Sequence, residues 1–439
     1  MKLTNNSRVA IVGGGPAGSL TAFAILDLAE RLGISLSLDL YEPRAFYRTG
    51  PPGCNMCGGI ISESLVELLA TEGIHLPSNV IIDTIDTYIL HTNSGSVSIR
   101  SHLDEMRIAC IYRGGGPKGA ENQRPLPWDS FDWFLLQQAL KKGAVHIPHR
   151  VRDLSWDADQ RPQVYFDGHN PRTYDLLVGA VGLHRPSLEL FENMGFGYRP
   201  PKTTKAFVAE FYYGHQQVQK LLGNAMNVFL LDIPGLKFAA LTPKGDYATF
   251  IILGDGINKA LINKVLRSPQ LQGCFPLGWE IPVQPCQCHP QIHFGDATNY
   301  YSDRVVMVGD CAVSRLYKDG IGAAYRMAKA CANTVVTNGT SRADFKRFYQ
   351  PTCTTMSRDN RLGHMLFTLD TVFRAVRPMR EAMLAAIRSE QNKDHSKRPL
   401  SGALWDTFTG SGSYWEIVQR SMRPDVLFRL FGHAIKSLF

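Results

Sequence analysis

The run RVAIVGGGPAG at residues 8–18 constrains this chain more than any other part of it. An apolar stretch at 9–12 enters glycines at 13, 15 and 18, and a mostly uncharged apolar segment follows to residue 28. This spacing predicts a strand, a tight turn and a helix, which turn backbone N–H groups and a helix N-terminus onto a pyrophosphate. Gly13 permits the turn, Gly15 lets the backbone approach phosphates, and Gly18 lets helix and strand pack closely. A second strand, about residues 36–41, ends in Glu42, placed to hold a ribose hydroxyl. The run points to a bound dinucleotide; the plainer alternative is a glycine-rich turn in an ordinary α/β domain.

At 439 residues the chain has room for about two or three domains, each with an ample core. Hydrophobic residues at 44% and charged residues at 20% describe a globular chain and exclude a disordered one. Nine cysteines without regular spacing argue for a reducing compartment rather than a disulfide framework. The first strand starts close to Met1, leaving no room for a secretory signal, and no apolar run reaches transmembrane length, so the expectation is a cytoplasmic protein. The net charge of +8 is concentrated late: residues 341–439 hold 16 Lys+Arg against 9 Asp+Glu, a net +7. Such a segment suits an anionic lipid surface, and the absence of a dense basic block or recognition motif speaks against nucleic acid.

The expected fold class is α/β (α+β): a Rossmann-like nucleotide domain, a sheet-rich substrate domain and a helical C-terminal segment. The nucleotide domain is expected over 1–190 and 285–340, the substrate domain over 191–284 and the helical basic region over 341–439. Helices are read at 60–77 and 131–144, and a strand at 145–156. Strands crowd residues 205–254, and 174–182 and 303–310 read as buried strands. Apolar positions from 362 to 387 describe one face of a long helix bent at Pro378. The last segment, VLFRLFGHAIKSLF, is amphipathic around Arg429, His433 and Lys436; it suits either a membrane interface or docking on the protein's own body.

Together these pieces resemble the FAD-dependent hydroxylase-like superfamily (the p-hydroxybenzoate hydroxylase type), and within it most closely the geranylgeranyl reductase family. The resemblance spans about residues 7–340. It implies that Gly309 and Asp310, in VGDCAVSRLYKDGIG, form the second FAD fingerprint, with Asp310 on the ribityl chain. It further implies that the backbone at Gly320 and Gly322 faces the flavin ring, and that Cys57-Gly58-Gly59 lies beside the isoalloxazine. WDSFDWFLLQQAL resembles the family's Phe-Asp helix, and Val151 stands where a backbone contact to adenine is usual. The chain departs from the family in four places, the first being that the family's arginine shortly before the Phe-Asp pair is missing at close range, with Arg124 the nearest candidate. Tyr317 stands near the position of the family's proline, and Val181 replaces the aspartate of hydroxylases. FAALTPKGD, at 238–246, keeps Pro243 of the substrate-domain motif but has Ala240 and Thr242 in place of Trp and Phe.

The resemblance implies an FAD oxidoreductase that reduces C=C bonds in a hydrophobic, polyprenyl lipid at a membrane surface. Protonation of one carbon must accompany reduction of the other, and Cys57 is the candidate donor or positioning group, with a buried packing role as the plain alternative. Cys54 and Cys57 also form a CxxC that suits dithiol exchange with flavin, although no second nucleotide-binding unit appears in mid-chain. Cys286, Cys288, His289 and His293 lack a structural-zinc spacing, and no metal is expected. NAD(P)H or reduced ferredoxin remains open as the electron donor. An FAD monooxygenase or halogenase is the alternative enzyme class, and a non-catalytic flavoprotein the third.

Overall fold

The computed structural model describes residues 1–50, 53, 58–101, 108–116, 129–280, 286–391, 393–394 and 397–436. The chain divides into two units: residues 1–48, 130–203 and 292–358, and residues 49–129, 204–291 and 359–439.

In the first unit, the short apolar runs become strands whose residues are buried without alternation, because both faces of their sheet are covered. The strands lie in the order Val145–Ile147, Ser37–Tyr41, Arg8–Val12, Leu176–Gly179, Val305–Met307 and Tyr301–Ser302. The first five are parallel and the last is antiparallel. Numbered by chain position, the parallel strands run third, second, first, fourth, fifth, so the order reverses beside Arg8–Val12. That reversal is the switch point at which open α/β sheets bind ligands. Helix Pro16–Arg31 packs on helices Phe131–Lys141 and Gly320–Asn333. Ser130 caps the Phe131–Lys141 helix, its Oγ accepting from the Trp133 N–H at 3.2 Å, which satisfies one of the orphan donors.

The strand expected over 145–156 is two strands in two sheets. Pro148 has no N–H to give a ladder, and the chain breaks there. Val145–Ile147 joins the parallel sheet, while Val151–Trp156 pairs antiparallel with Pro162–Phe166. Beneath the sheet, a buried polar knot replaces apolar packing. The Tyr174 hydroxyl donates to Asp39 Oδ2 at 2.6 Å, Arg172 donates to the same oxygen at 2.9 Å, and the Tyr41 hydroxyl lies 2.5 Å from that of Tyr174. Burial pushes the Tyr174 hydroxyl far above its ordinary pKa, so it stays a donor to the carboxylate.

The second unit is built on a sheet in the order Cys286–Cys288, Lys202–Tyr212, Tyr247–Gly254, Leu236–Lys244, Ala225–Phe229, Thr87–Thr92 and Gly95–Arg100. Ala225–Phe229 pairs parallel with Thr87–Thr92, and this long-range pairing draws residues 49–129 into the unit rather than leaving them with the nucleotide domain, where the sequence reading placed them. One sheet face, with Phe211, Leu241 and Phe250, packs on Leu261, Val265 and Leu271. Tyr88, Leu90 and Val228 pack instead with Leu384, Ile387, Trp405 and Val426 of the C-terminal helices. The C-terminal residues are therefore split between the two units instead of forming a region of their own.

The expected bent helix is two helices, Gln350–Ala375 and Arg377–Gln391. Pro378 cannot donate to the carbonyl of Arg374, and the Arg380 guanidinium bonds that carbonyl instead. The helix expected over 60–77 is shorter. Ile60–Ile61 is a strand, Ser62 caps Glu63–Thr71, and Gly73 at φ 78° ends the turn. Among the described residues, no helix is long and apolar enough to cross a membrane.

Removing the Tyr174 hydroxyl would leave two buried polar groups short of a partner. Tyr174→Phe is expected to lower the unfolding free energy by about 1–3 kcal/mol in a denaturant titration.

Candidate cofactor site

The turn from Arg8–Val12 into Pro16–Arg31 is as tight as its glycines require. A Cβ on Gly18 would sit 1.8 Å from the Gly13 carbonyl oxygen, and one on Gly13 would sit 2.4 Å from that of Ala180. Gly13 also takes φ 105°, open to glycine and strained for any other residue. The second contact crosses the switch point, since Ala180 follows the neighbouring strand Leu176–Gly179. The helix that begins here has Gly15 at its N-cap with no side-chain cap, Pro16 in its first turn and no acidic residue there. Its first N–H groups therefore remain available to an anion, and the helix dipole favours one.

Glu42 ends the second strand, as the sequence predicts, and is 8% exposed. Its Oε2 accepts from the Gly14 N–H at 2.9 Å and its Oε1 from the Arg44 N–H at 2.8 Å. Burial raises its pKa above the usual carboxylate range, while the two backbone donors pull it back. The carboxylate is thus fixed against the glycine turn, and its remaining lone pairs can take a hydroxyl. Beside it, the Glu42 N–H donates to the Ile147 carbonyl at 3.1 Å, and Val151 opens the next strand four residues later, buried.

Gly309 and Asp310 follow the strand Val305–Met307 in a single short turn. Gly309 has φ 81°, and a Cβ there would lie 2.7 Å from that of Ala17, so this loop packs on the start of the glycine-motif helix. Asp310 Oδ1 lies 3.5 Å from where a Cβ on Gly320 would be. The structure thereby gathers Gly13, Gly15, Gly18, Glu42, Gly309, Asp310 and Gly320 at one edge of the sheet. These glycines make a cradle that any side chain would fill, with an acid at each end, and such a cradle fits a dinucleotide.

One expected contact differs. Asp319 caps helix Gly320–Asn333 and its Oδ1 accepts the Gly322 N–H at 3.1 Å, so Gly322 already has a partner. Asp319 is held in turn by Arg326 at 2.7 Å and Arg315 at 3.3 Å. Tyr317 adopts φ 64° and Asp319 φ 54°. Proline is locked near φ −65°, so the family's proline cannot stand at Tyr317 in this loop. A bulky residue held left-handed stores strain, which tends to persist where the surroundings serve function.

Gly58 and Gly59 belong to the second unit. The Gly59 carbonyl accepts the Ile111 N–H at 2.7 Å, and a Cβ on Gly59 would lie 2.5 Å from Lys244 Nζ. Cys54 and Cys57 lie outside the described residues. Cys286 and Cys288 lie on a strand paired with Lys202–Tyr212, and burial raises the thiols of Cys110 and Cys311 to about 12. Sequence reasoning missed Asp319, whose only signal was an acid just before a glycine-led helix. It also missed Lys244, a lysine inside an otherwise apolar strand.

No protein-family model matches the sequence, and no curated protein matches it. Solved structures do. The flavin-dependent brominase Bmp2 superposes with a TM-score of 0.66 at 13% identity, covering 96% of this chain and 99% of its own. A geranylgeranyl bacteriochlorophyll reductase-like protein from Thermoplasma acidophilum gives 0.62 at 14% identity, covering 98% and 100%. A variant of the halogenase PltM in complex with FAD gives 0.59 at 14%, covering 95% and 87%. The strand order, the glycine cradle and these superpositions together show that this chain has a Rossmann-type α/β fold shared with the brominase, the reductase-like protein and the halogenase.

Proposed function

We propose that this chain is an FAD-dependent oxidoreductase that reduces a C=C bond in a hydrophobic, polyprenyl-type substrate. The observation that carries the cofactor is the uncapped N-terminus of Pro16–Arg31 at the sheet's switch point, with the buried Glu42 carboxylate beside it. The N-terminal N–H groups would hold the pyrophosphate, Glu42 a ribose hydroxyl, Val151 the adenine and Asp310 the ribityl chain. FAD bound there would supply two-electron chemistry that no side chain can. The protein's part is to orient the acceptor carbon, exclude water and deliver a proton, the last assigned to Cys57. NAD(P)H or reduced ferredoxin is the proposed donor.

Likeness to the reductase-like protein from Thermoplasma acidophilum supports this reading. Likeness to a brominase and to halogenases supports a second, an FAD monooxygenase or halogenase on the same scaffold. Dithiol exchange through Cys54 and Cys57 is the third. Contact with a membrane surface has its own support. Met365, Leu369 and Val372 recur at helical spacing on Gln350–Ala375, and Val376 and Met379 follow, each of the five between 36% and 52% exposed, in the segment that carries most of the positive charge. The last helix, Pro424–Lys436, is anchored to the protein instead, through buried Val426 and an Arg429–Glu390 pair at 3.5 Å, although Phe428 is exposed.

Glu42→Gln should purify with much less FAD than the wild type, read from flavin absorbance. FAD binding favours ionised Glu42, whose pKa is raised, so wild-type retention should fall on acidification at a pH above the ordinary carboxylate range, and Glu42→Gln should lack that step. Under anaerobic photoreduction with membrane lipid extract, reoxidation of the flavin should accompany a two-hydrogen gain in lipid mass. Flavin that stays reduced until air is admitted would turn the assignment to oxygen chemistry. A doubly substituted Leu369→Asp, Val372→Asp protein should lose co-flotation with anionic phosphatidylserine vesicles while keeping its FAD.

A further inference from the structure

We infer that Asp319 sets the charge at the second helix end of the cofactor cradle and thereby makes bound FAD a stronger reductant. The inference rests on the proposed function in seating FAD at that cradle.

Two helices begin at the cradle, and the chain treats their N-termini in opposite ways. Pro16–Arg31 starts uncapped, with no acidic residue in its first turn. Gly320–Asn333 starts under the Asp319 carboxylate, whose Oδ1 accepts the Gly322 N–H at 3.1 Å. The two helices pack on each other, and Asp310 Oδ1 lies 3.5 Å from the place of a Cβ on Gly320. A bare helix N-terminus carries roughly half a positive elementary charge, which a carboxylate in place there more than cancels. The first end is therefore open to the negative charge of a diphosphate, and the second is closed to further negative charge.

Asp319 keeps this position at a cost, in a left-handed backbone at φ 54° and with its side chain only 8% exposed. Its Oδ2 takes Arg326 at 2.7 Å and Arg315 at 3.3 Å. The Arg315 side chain is 6% exposed, so solvent screens its charge little, whereas that of Arg326 is 38% exposed. A neutral asparagine or serine would cap the Gly322 N–H as well as an aspartate does. What the carboxylate adds is charge. It answers the buried guanidinium and the helix end together, and without it both would stand positive at this end of the cradle.

Reduction of a flavin ring takes two electrons and one proton to give an anion, and a second proton to give the neutral form. Positive charge nearby favours the anion and raises the reduction potential. Asp319 removes that help, so the reduced cofactor keeps both protons and gives up its electrons more readily. An isolated C=C accepts electrons poorly, and a cofactor poised this way suits it.

The test is a potentiometric titration of the full-length, FAD-loaded protein as wild type, Asp319→Asn and Arg326→Gln. Asp319→Asn keeps a cap for Gly322 and removes the charge. It should shift the reduced-to-oxidised ratio about tenfold toward the reduced form, about 30 mV in midpoint potential. Its reduced flavin should also lose a proton at a lower pH than that of the wild type, read from absorbance. Arg326→Gln strips a cation from the same carboxylate and should move the potential the other way, which gives the sign even where Asp319→Asn loses its flavin. An aspartate that only caps the helix would leave the potential of Asp319→Asn where it was. An unmoved or lowered potential in that variant, or a raised one in Arg326→Gln, overturns the inference and leaves the proposed function standing. The expected shifts in a protein that adds no hydrogen to lipid would sink the proposed function alone, and wild-type protein that takes up no FAD would sink both.

Discussion

The first unit depends on one close approach. Gly18 lies against the Gly13 carbonyl and Gly13 against that of Ala180, so first strand, first helix and fourth strand meet with no room for a side chain. That contact sets the helix axis against the sheet and leaves its N-terminal N–H groups pointing away from the protein's own acceptors. Glu42 and Asp310 come to the same edge because their strands flank this point on either side. A binding site at the switch point is then a consequence of topology, and the acids decide what kind of ligand it takes.

In the second unit, a buried ammonium at Lys244 and a half-buried carboxylate at Glu210 share one sheet face without closing an ion pair. Two other buried charged groups are satisfied locally. Asp39 has Arg172 and Tyr174, and Arg374 has the Leu231 and Leu236 carbonyls. By contrast, the Lys244 ammonium faces the Tyr112 ring and has no hydrogen-bond acceptor among the described residues.

The loop from Asp310 to Gly320 shows where likeness to a family ends. Tyr317 and Asp319, on either side of Lys318, adopt left-handed conformations, and Asp319 covers the Gly322 N–H under the hold of two arginines. The loop thus carries its own anion at the helix start where the resemblance expects the cofactor's ring.

What the sequence determined by itself was local. Hydrophobic runs marked the buried strands, glycine spacing marked the turn, and Glu42 was found because it ends the next strand within a short stretch of chain. These follow from sterics and periodicity over a few residues, which a sequence carries directly. Only the tertiary structure decided that Thr87–Thr92 pairs with Ala225–Phe229, that Pro148 divides one apparent strand between two sheets, and that the chain's last helices cover the second sheet. It also decided that the Lys244 ammonium has no hydrogen-bond partner among the described residues. Such facts depend on which distant segments meet, and the same local pattern is compatible with many meetings until loop closure and burial select one.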